Sequence, residues 1–301
     1  MSVESVNVTT IAPARVPTRS RLSAYVALTK PRIIELLLIT TVPSMVLASQ
    51  GWPGTLLVLA TLLGGTMSAA GANALNNYLD RDIDELMRRT RSRPLARHEV
   101  PPRHALLIGV SLGVVGFIWL WATTNLAAAA LSTAALLFYV FVYTIALKRR
   151  TPLNIVIGGA AGAAPILVGW AAVTGGLEPA AWALFAVVFY WTPPHFWALA
   201  LRYRDDYATA GVPMLPVVAG VEATTRRMLL YSSLVVFVSL TLVPLGGLGW
   251  VYLLAALTLG GWFLWGTWRV YRSPDQAMRL FISSNVYLAA LFAAALVDVL
   301  V

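Results

Sequence analysis

Cysteine is absent from the 301 residues of this chain, so neither a disulfide nor a thiolate metal site is open to it. Charge is scarce too. Only 12% of the residues are Asp, Glu, Lys or Arg, against about 25% in an average soluble domain. No polar stretch is longer than about 32 residues, so no appended soluble catalytic domain is expected. No secretory signal is expected, because residues 1–22 are polar and basic and lack a short apolar core. With Pro13 and Pro17, they read as a disordered cytosolic tail before a single domain, 23–301.

What the chain has in abundance is apolar sequence. It is 58% hydrophobic, with a mean hydropathy of +0.74. A spanning helix needs about 20 apolar residues. Nine segments qualify, at roughly 33–50, 54–79, 104–122, 126–147, 153–173, 181–201, 228–247, 249–269 and 281–300. The short Gly-rich link at 245–250 leaves counts of eight or ten open. The expected fold is all-α: a polytopic bundle of about nine helices in a lipid bilayer, around a central cavity open to the cytosolic face.

The distribution of basic residues orients the bundle. All 22 Lys and Arg fall in segments 1–32, 80–103, 148–152, 202–227 and 269–280, and none falls in the intervening loops. Positive residues stay on the cytosolic side, so the N-terminus is expected in the cytosol and the C-terminus outside, in the cell (inner) membrane. The sequence pI near 10.2 thus reflects topology. Bases scattered through membrane loops do not form a nucleic-acid footprint, so no nucleic-acid partner is expected.

Of 13 acidic residues, six lie in two places: Asp80, Asp82, Asp84 and Glu85, then Asp205 and Asp206. Asn76, Asp80 and Asp84 are four apart and share one face of a helix. Two carboxylates and an amide oxygen so placed suit Mg²⁺, which takes oxygen ligands and keeps room for substrate phosphates. Arg88, Arg91 and Arg93 follow at once, and guanidinium forks bind phosphate oxygens. The bland alternatives are charges snorkelling at a helix end and a basic loop that only sets topology. Lys148-Arg149-Arg150 is either a stop-transfer cluster or part of the anion site, with Tyr143 and Asn154 nearby in sequence. Asp205 and Asp206 could hold a second Mg²⁺ or orient Lys and Arg. His195, beside Trp191 and Trp197, is either a hydrogen-bonded core residue or an iron ligand. The run Gly158–Pro165 allows close helix packing or room for a planar substrate.

At these residues the chain resembles the intramembrane aromatic prenyltransferases, whose first acidic motif is Asn-Asp-x-x-Asp-x-x-x-Asp. Here it stands as Asn76 to Asp84, with Asn77 in place of the first Asp. Further pieces, from Thr29-Lys30-Pro31-Arg32 through Arg91-Ser92-Arg93-Pro94-Leu95 and Pro194-His195-Phe196-Trp197 to Asp205–Pro216, resemble the branch that farnesylates haem. The second motif departs from the wider superfamily, because Tyr203 and Tyr207 occupy its outer acidic positions.

The resemblance implies a prenyltransferase that moves the farnesyl group of farnesyl diphosphate to haem b, a substrate here, with Mg²⁺ as cofactor. Asn76, Asp80 and Asp84 would hold the metal. Arg88, Arg91, Arg93, Lys148, Asp205 and Asp206 would form the diphosphate site, and His195, Trp197, Tyr143 and Asn154 are haem candidates. A haem A synthase is a candidate partner. Rival readings are a quinone-precursor prenyltransferase, a transporter and an alcohol phosphotransferase. The last needs an Asp-Gly-x-x-Ala-Arg pattern that Arg81-Asp82-Ile83 does not supply.

Overall fold

A computed structural model of the chain describes residues 20–301, with 32–38 described in backbone only. The expected tail therefore lies outside the described residues up to residue 19, and Arg21 and Leu22 already begin a helix. Twelve α-helices follow one another: α1 (Arg21–Leu28), α2 (Pro31–Ser49), α3 (Thr55–Leu86), α4 (Pro102–Thr123), α5 (Leu126–Leu137), α6 (Asn154–Thr174), α7 (Pro179–Arg202), α8 (Arg204–Thr209), α9 (Leu215–Val218), α10 (Gly220–Gly246), α11 (Trp250–Arg272) and α12 (Ala277–Leu300). The α5 helix runs on as a π-helix, Phe138–Leu147. Eight described helical spans are long and apolar enough to cross a membrane, counting α5 and its π extension together. The remaining expected segment, 33–50, falls on α2, a 19-residue helix that is apolar over Ile39–Ser49. The nine expected segments thus coincide with nine helices among the described residues.

Small residues set the closest helix contacts. A Cβ added to Gly71 of α3 would lie 2.7 Å from the Gly109 carbonyl of α4, and one on Gly109 would lie 2.6 Å from Leu75. Such positions let two backbones approach in a solvent where burial alone drives nothing. The Gly158–Pro165 run packs closely at one position and leaves space at another. Gly158 packs against the Tyr143 ring, where a Cβ would sit at 2.3 Å, whereas Gly162 faces open space. Large apolar side chains point outward, and Trp52, Trp250, Trp265 and Trp268 are exposed near helix ends, as interfacial belts require. Asp298, an acid within the last span, accepts from the backbone N–H of Gly249 and Tyr252 and so caps α11.

Candidate active site

The α3 helix continues past its apolar run and carries the acidic motif in its last turns. Asn73, Asn76, Asn77, Asp80, Ile83 and Asp84 are all buried. Their spacing of three and four puts them on the inward face of the helix. Asn73 Nδ2 donates to the Thr29 carbonyl at 3.0 Å and Asn77 Nδ2 to the Leu28 carbonyl at 2.8 Å. These amides satisfy carbonyls at the end of α1 that lack helical partners. Asn77, which stands at an acidic position of the prenyltransferase motif, therefore ties α1 to α3. The same anchor delivers Lys30, held at φ +51° before Pro31.

Three cations meet the acidic face. Lys30 Nζ donates to Asn76 Oδ1 at 2.7 Å. Lys148 Nζ, beyond the π-helix, is paired with Asp80 Oδ2. Arg93 Nη1 donates to both oxygens of Asp84, at 2.8 and 2.7 Å. Burial pushes the Lys30 ammonium well below the usual lysine range, and Arg93 and Lys148 push it further. Burial likewise lowers Lys148, against the pull of Asp80. Three basic groups, Lys30, Lys148 and Arg93, thus face two carboxylates, Asp80 and Asp84, a balance that favours an anionic guest. Beside it, Arg149 forks onto Asp82 at 2.7 and 2.6 Å.

The basic loop after α3 splits in function. Arg93 turns inward, while Arg91 is exposed. Arg88 Nε donates to Asp206 Oδ1 at 2.7 Å, and the Arg89 backbone N–H to Asp206 Oδ2 at 3.2 Å. Burial alone would raise the Asp206 carboxyl, but these donors hold it below the usual carboxylate range. Both its oxygens are engaged in clasping the arginine loop to α8. Asp205 is exposed. Among the described residues no group of three or more His, Asp or Glu comes together.

An apolar cavity adjoins the acidic face, between α2, α3, α5 and α6. Asn73 and Tyr139 border it near the charged cluster, and Thr61 borders it twelve positions back along α3, which is ~18 Å. Ala161, Gly162 and Pro165 form part of its wall. The haem candidates do not gather in one place. Tyr143 stacks on Tyr139 with ring centres 5.4 Å apart. Asn154 is fully buried, its amide donating to the Thr151 carbonyl at 2.6 Å. His195 lies between Trp191 and Phe281, with centroids at 4.3 and 4.4 Å, and its Nδ1 is 2.7 Å from Ser284 Oγ. Trp197 packs inside the core against Tyr231.

The donor set fits a hard divalent cation. Asp80 Oδ1 is buried with no hydrogen-bond partner, and Arg149 Nη2 stands 3.9 Å away. A free carboxylate oxygen, with a second carboxylate one turn on and an amide oxygen one turn back, suits Mg²⁺. Sequence reasoning had passed over Lys30, Tyr139 and Thr144 as site residues. Lys30 carried one signal, a Lys-Pro-Arg run just before the first span. Thr144 carried none, being one hydroxyl within an apolar run.

Comparison with known proteins agrees with this geometry. The model of the UbiA prenyltransferase family matches residues 37–296. The chain is 55% identical over 280 residues to the protoheme IX farnesyltransferase of Clavibacter sepedonicus, covering 91% of this chain and 92% of that one. Among solved structures, it resembles a digeranylgeranylglyceryl phosphate synthase with a TM-score of 0.76 at 18% identity, over 93% of this chain and 98% of that one. It also resembles a UbiA homologue from Archaeoglobus fulgidus bound to DMAPP and Mg²⁺, with a TM-score of 0.63 at 19% identity, over 90% of this chain and 99% of that one. At such identities the structures speak to the fold, whereas the matched family model and the close relative speak to kinship: the chain belongs to the UbiA prenyltransferase family.

Proposed function

We propose that the protein transfers the farnesyl group of farnesyl diphosphate to the 2-vinyl group of haem b, with addition of water, giving haem O and diphosphate. One observation carries the site assignment: two buried carboxylates ringed by Lys30, Lys148 and Arg93 lie on the α3 face that, about two turns back at Asn73, borders an apolar cavity. The charged cluster takes the diphosphate, and the cavity takes the isoprenoid chain. The naming of the 55% identical relative supports farnesyl and haem as the pair of substrates.

Asn76, Asp80 and Asp84 would hold Mg²⁺, as the Mg²⁺-bound relative of the same fold supports. When bound, the ion supplies Lewis-acid charge beside the leaving diphosphate. Lys30, Lys148 and Arg93 bind the diphosphate oxygens and stabilise the charge that develops as the C1–O bond breaks and its electron pair leaves. Arg88 and Arg91 extend the basic rim, and Asp206 and Asp205 order that loop. The apolar walls keep water from the allylic cation until the vinyl π electrons form the new C–C bond to C1. The cation then left on the haem side takes a water oxygen and releases one proton, which completes the hydroxyethylfarnesyl group.

Tyr143, beside Tyr139 at the polar end of the cavity, is the haem candidate placed to meet the acceptor. His195, with Nδ1 committed to Ser284, has Nε2 left for iron. Asn154 backs the Lys148 turn, and Trp197 supports the packing of α7. Haem O would pass to a haem A synthase, the candidate partner. The N-terminus is placed in the cytosol and the C-terminus outside, in the inner membrane, on the strength of the basic loops.

The test is mass spectrometry of haem from purified protein given haem b, farnesyl diphosphate and Mg²⁺. A product heavier than haem b by one farnesol is expected, and none from Asp80→Ala. Wild-type haem O yield from Asp80→Ala would overturn the site. Prenylation of 4-hydroxybenzoate in place of haem would overturn the acceptor.

A further inference from the structure

The orientation of the Asn76 amide is determined by its neighbours. Its Nδ2 lies 2.7 Å from Asp80 Oδ2, and its Oδ1 lies 2.7 Å from Lys30 Nζ. A carboxylate only accepts and an ammonium only donates, so the NH₂ faces Asp80 and the oxygen faces Lys30. The second N–H of that amide goes to Thr144 Oγ1 at 3.1 Å. The hydroxyl hydrogen of Thr144 is itself committed to the Tyr139 carbonyl at 2.8 Å. Thr144 therefore meets Asn76 with a lone pair. Asn76, Asp80 and Thr144 are no more than 2% exposed, so water does not compete for these bonds.

The π-helix makes this contact. The Thr144 hydroxyl reaches back five residues, and the Lys148 N–H likewise bonds the Tyr143 carbonyl at 2.8 Å. A π-helix turns roughly 82° per residue. Tyr139, Thr144 and Lys148 then fall within about 50° of one another, whereas α winding at about 100° per residue would set Tyr139 and Lys148 ~180° apart. Aligned in this way, Tyr139 borders the cavity beside Asn73, Thr144 meets Asn76 and Lys148 meets Asp80. One face of the π-helix thus follows three successive turns of α3.

We infer that Thr144 is a positioning residue that keeps the Asn76 carbonyl oxygen turned toward the metal and diphosphate site. The inference rests on the reading of Asn76 as a metal ligand. Lys30 and Asp80, which also orient the amide, are groups that the substrate and ion engage. Thr144 alone of the three holds Asn76 from outside that set, so it restrains the amide when the other two change partners. Removing such an outer hydrogen-bond partner typically weakens metal binding about 10- to 100-fold.

The test is Mn²⁺ binding, read by electron paramagnetic resonance, on the purified full chain with inorganic diphosphate present. Thr144→Val is expected to weaken Mn²⁺ binding about tenfold or more, and Thr144→Ser to restore most of it. In an Asn76→Asp background either carboxylate oxygen can ligate, so adding Thr144→Val there is expected to change little. Wild-type Mn²⁺ affinity in Thr144→Val would overturn the inference. So would an equal loss in Thr144→Ser, or the same loss in the Asn76→Asp background, which would mark a packing defect. An Asp80→Ala protein that bound Mn²⁺ normally would instead bring down the metal reading beneath it.

Discussion

Each acidic or amide group of the site is matched to a cation in the absence of substrate: Asn76 with Lys30, Asp80 with Lys148, Asp84 with Arg93. A divalent ion and a diphosphate entering together let these pairs separate without leaving a buried charge uncompensated. Removing one partner alone does leave such a charge. Lys148→Met strands the Asp80 carboxylate, which is 0% exposed, so a loss on the order of 3 kcal/mol in stability is expected beside the loss of activity. Thermal unfolding in detergent would show it, and an unchanged midpoint would contradict the pairing. Titration supplies a second check. Burial lowers Lys30 and Lys148 below the ordinary lysine range. As pH rises through those lowered values the free enzyme loses the cations proposed to bind diphosphate. Bound diphosphate favours the charged lysines and pulls their pKa values back up. The alkaline fall in kcat/KM, which reports the free enzyme, should therefore begin at lower pH than the fall in kcat. Coincident profiles would argue that these lysines do not meet the diphosphate. The sequence displayed Asp80, Asp84 and the arginines plainly, because charge in a membrane chain is conspicuous. It concealed Thr144, since a single hydroxyl in an apolar run looks like any other helix residue.

Helix winding matters as much as residue type. The apolar count ends the second span near residue 79, yet α3 continues to Leu86. The inward face of its last turns is held by Lys30, Lys148 and Arg93 and, at Ile83, by apolar packing. The π-helix is the other element with a direct test. Phe141 and Ile145 are 57% and 44% exposed on its outer side. Deleting Phe141 alone is expected to lower the rate of haem O formation at least ~100-fold, because it rotates Thr144 and Lys148 away from α3 by roughly a residue's turn. Deleting both Phe141 and Ile145 lets two π turns become two α turns. Tyr139, Thr144 and Lys148 are then separated by intervals of three to four residues and share a face again. Partial recovery of haem O in the double deletion is the expected readout. A double deletion as inactive as the single one would show that register is not what the segment provides. Sequence periodicity did not reveal this winding, since an apolar run of uniform character carries no phase to separate α from π.

At the scale of the whole molecule, the absence of cysteine makes topology open to direct measurement. Single-cysteine variants Gln50→Cys and Ser92→Cys carry one label site each. With a membrane-impermeant maleimide on intact cells, Gln50→Cys is expected to react and Ser92→Cys to react only after lysis. The reverse pattern would invert the bundle and move the charged site to the outer face. The arginine loop and the second acidic cluster, 118 positions apart at Arg88 and Asp206, meet because α3 and α7 end at the same face of the bundle. There Asp206 clasps the arginine loop with both oxygens.

The chain's composition alone settled that this is a helical membrane protein. The cost of burying unpaired backbone in lipid leaves helices as the fold for such apolar runs. Its acidic spacing marked one face of one helix as the place for chemistry, because side-chain direction follows from helical periodicity. Only the tertiary structure decided which cation neutralises which carboxylate, that Asn77 ties down α1, that Asp206 is a clasp, and that Thr144 holds Asn76. Those pairings depend on helix rotation and crossing, which small-residue contacts and π winding set, and which no local run of sequence encodes.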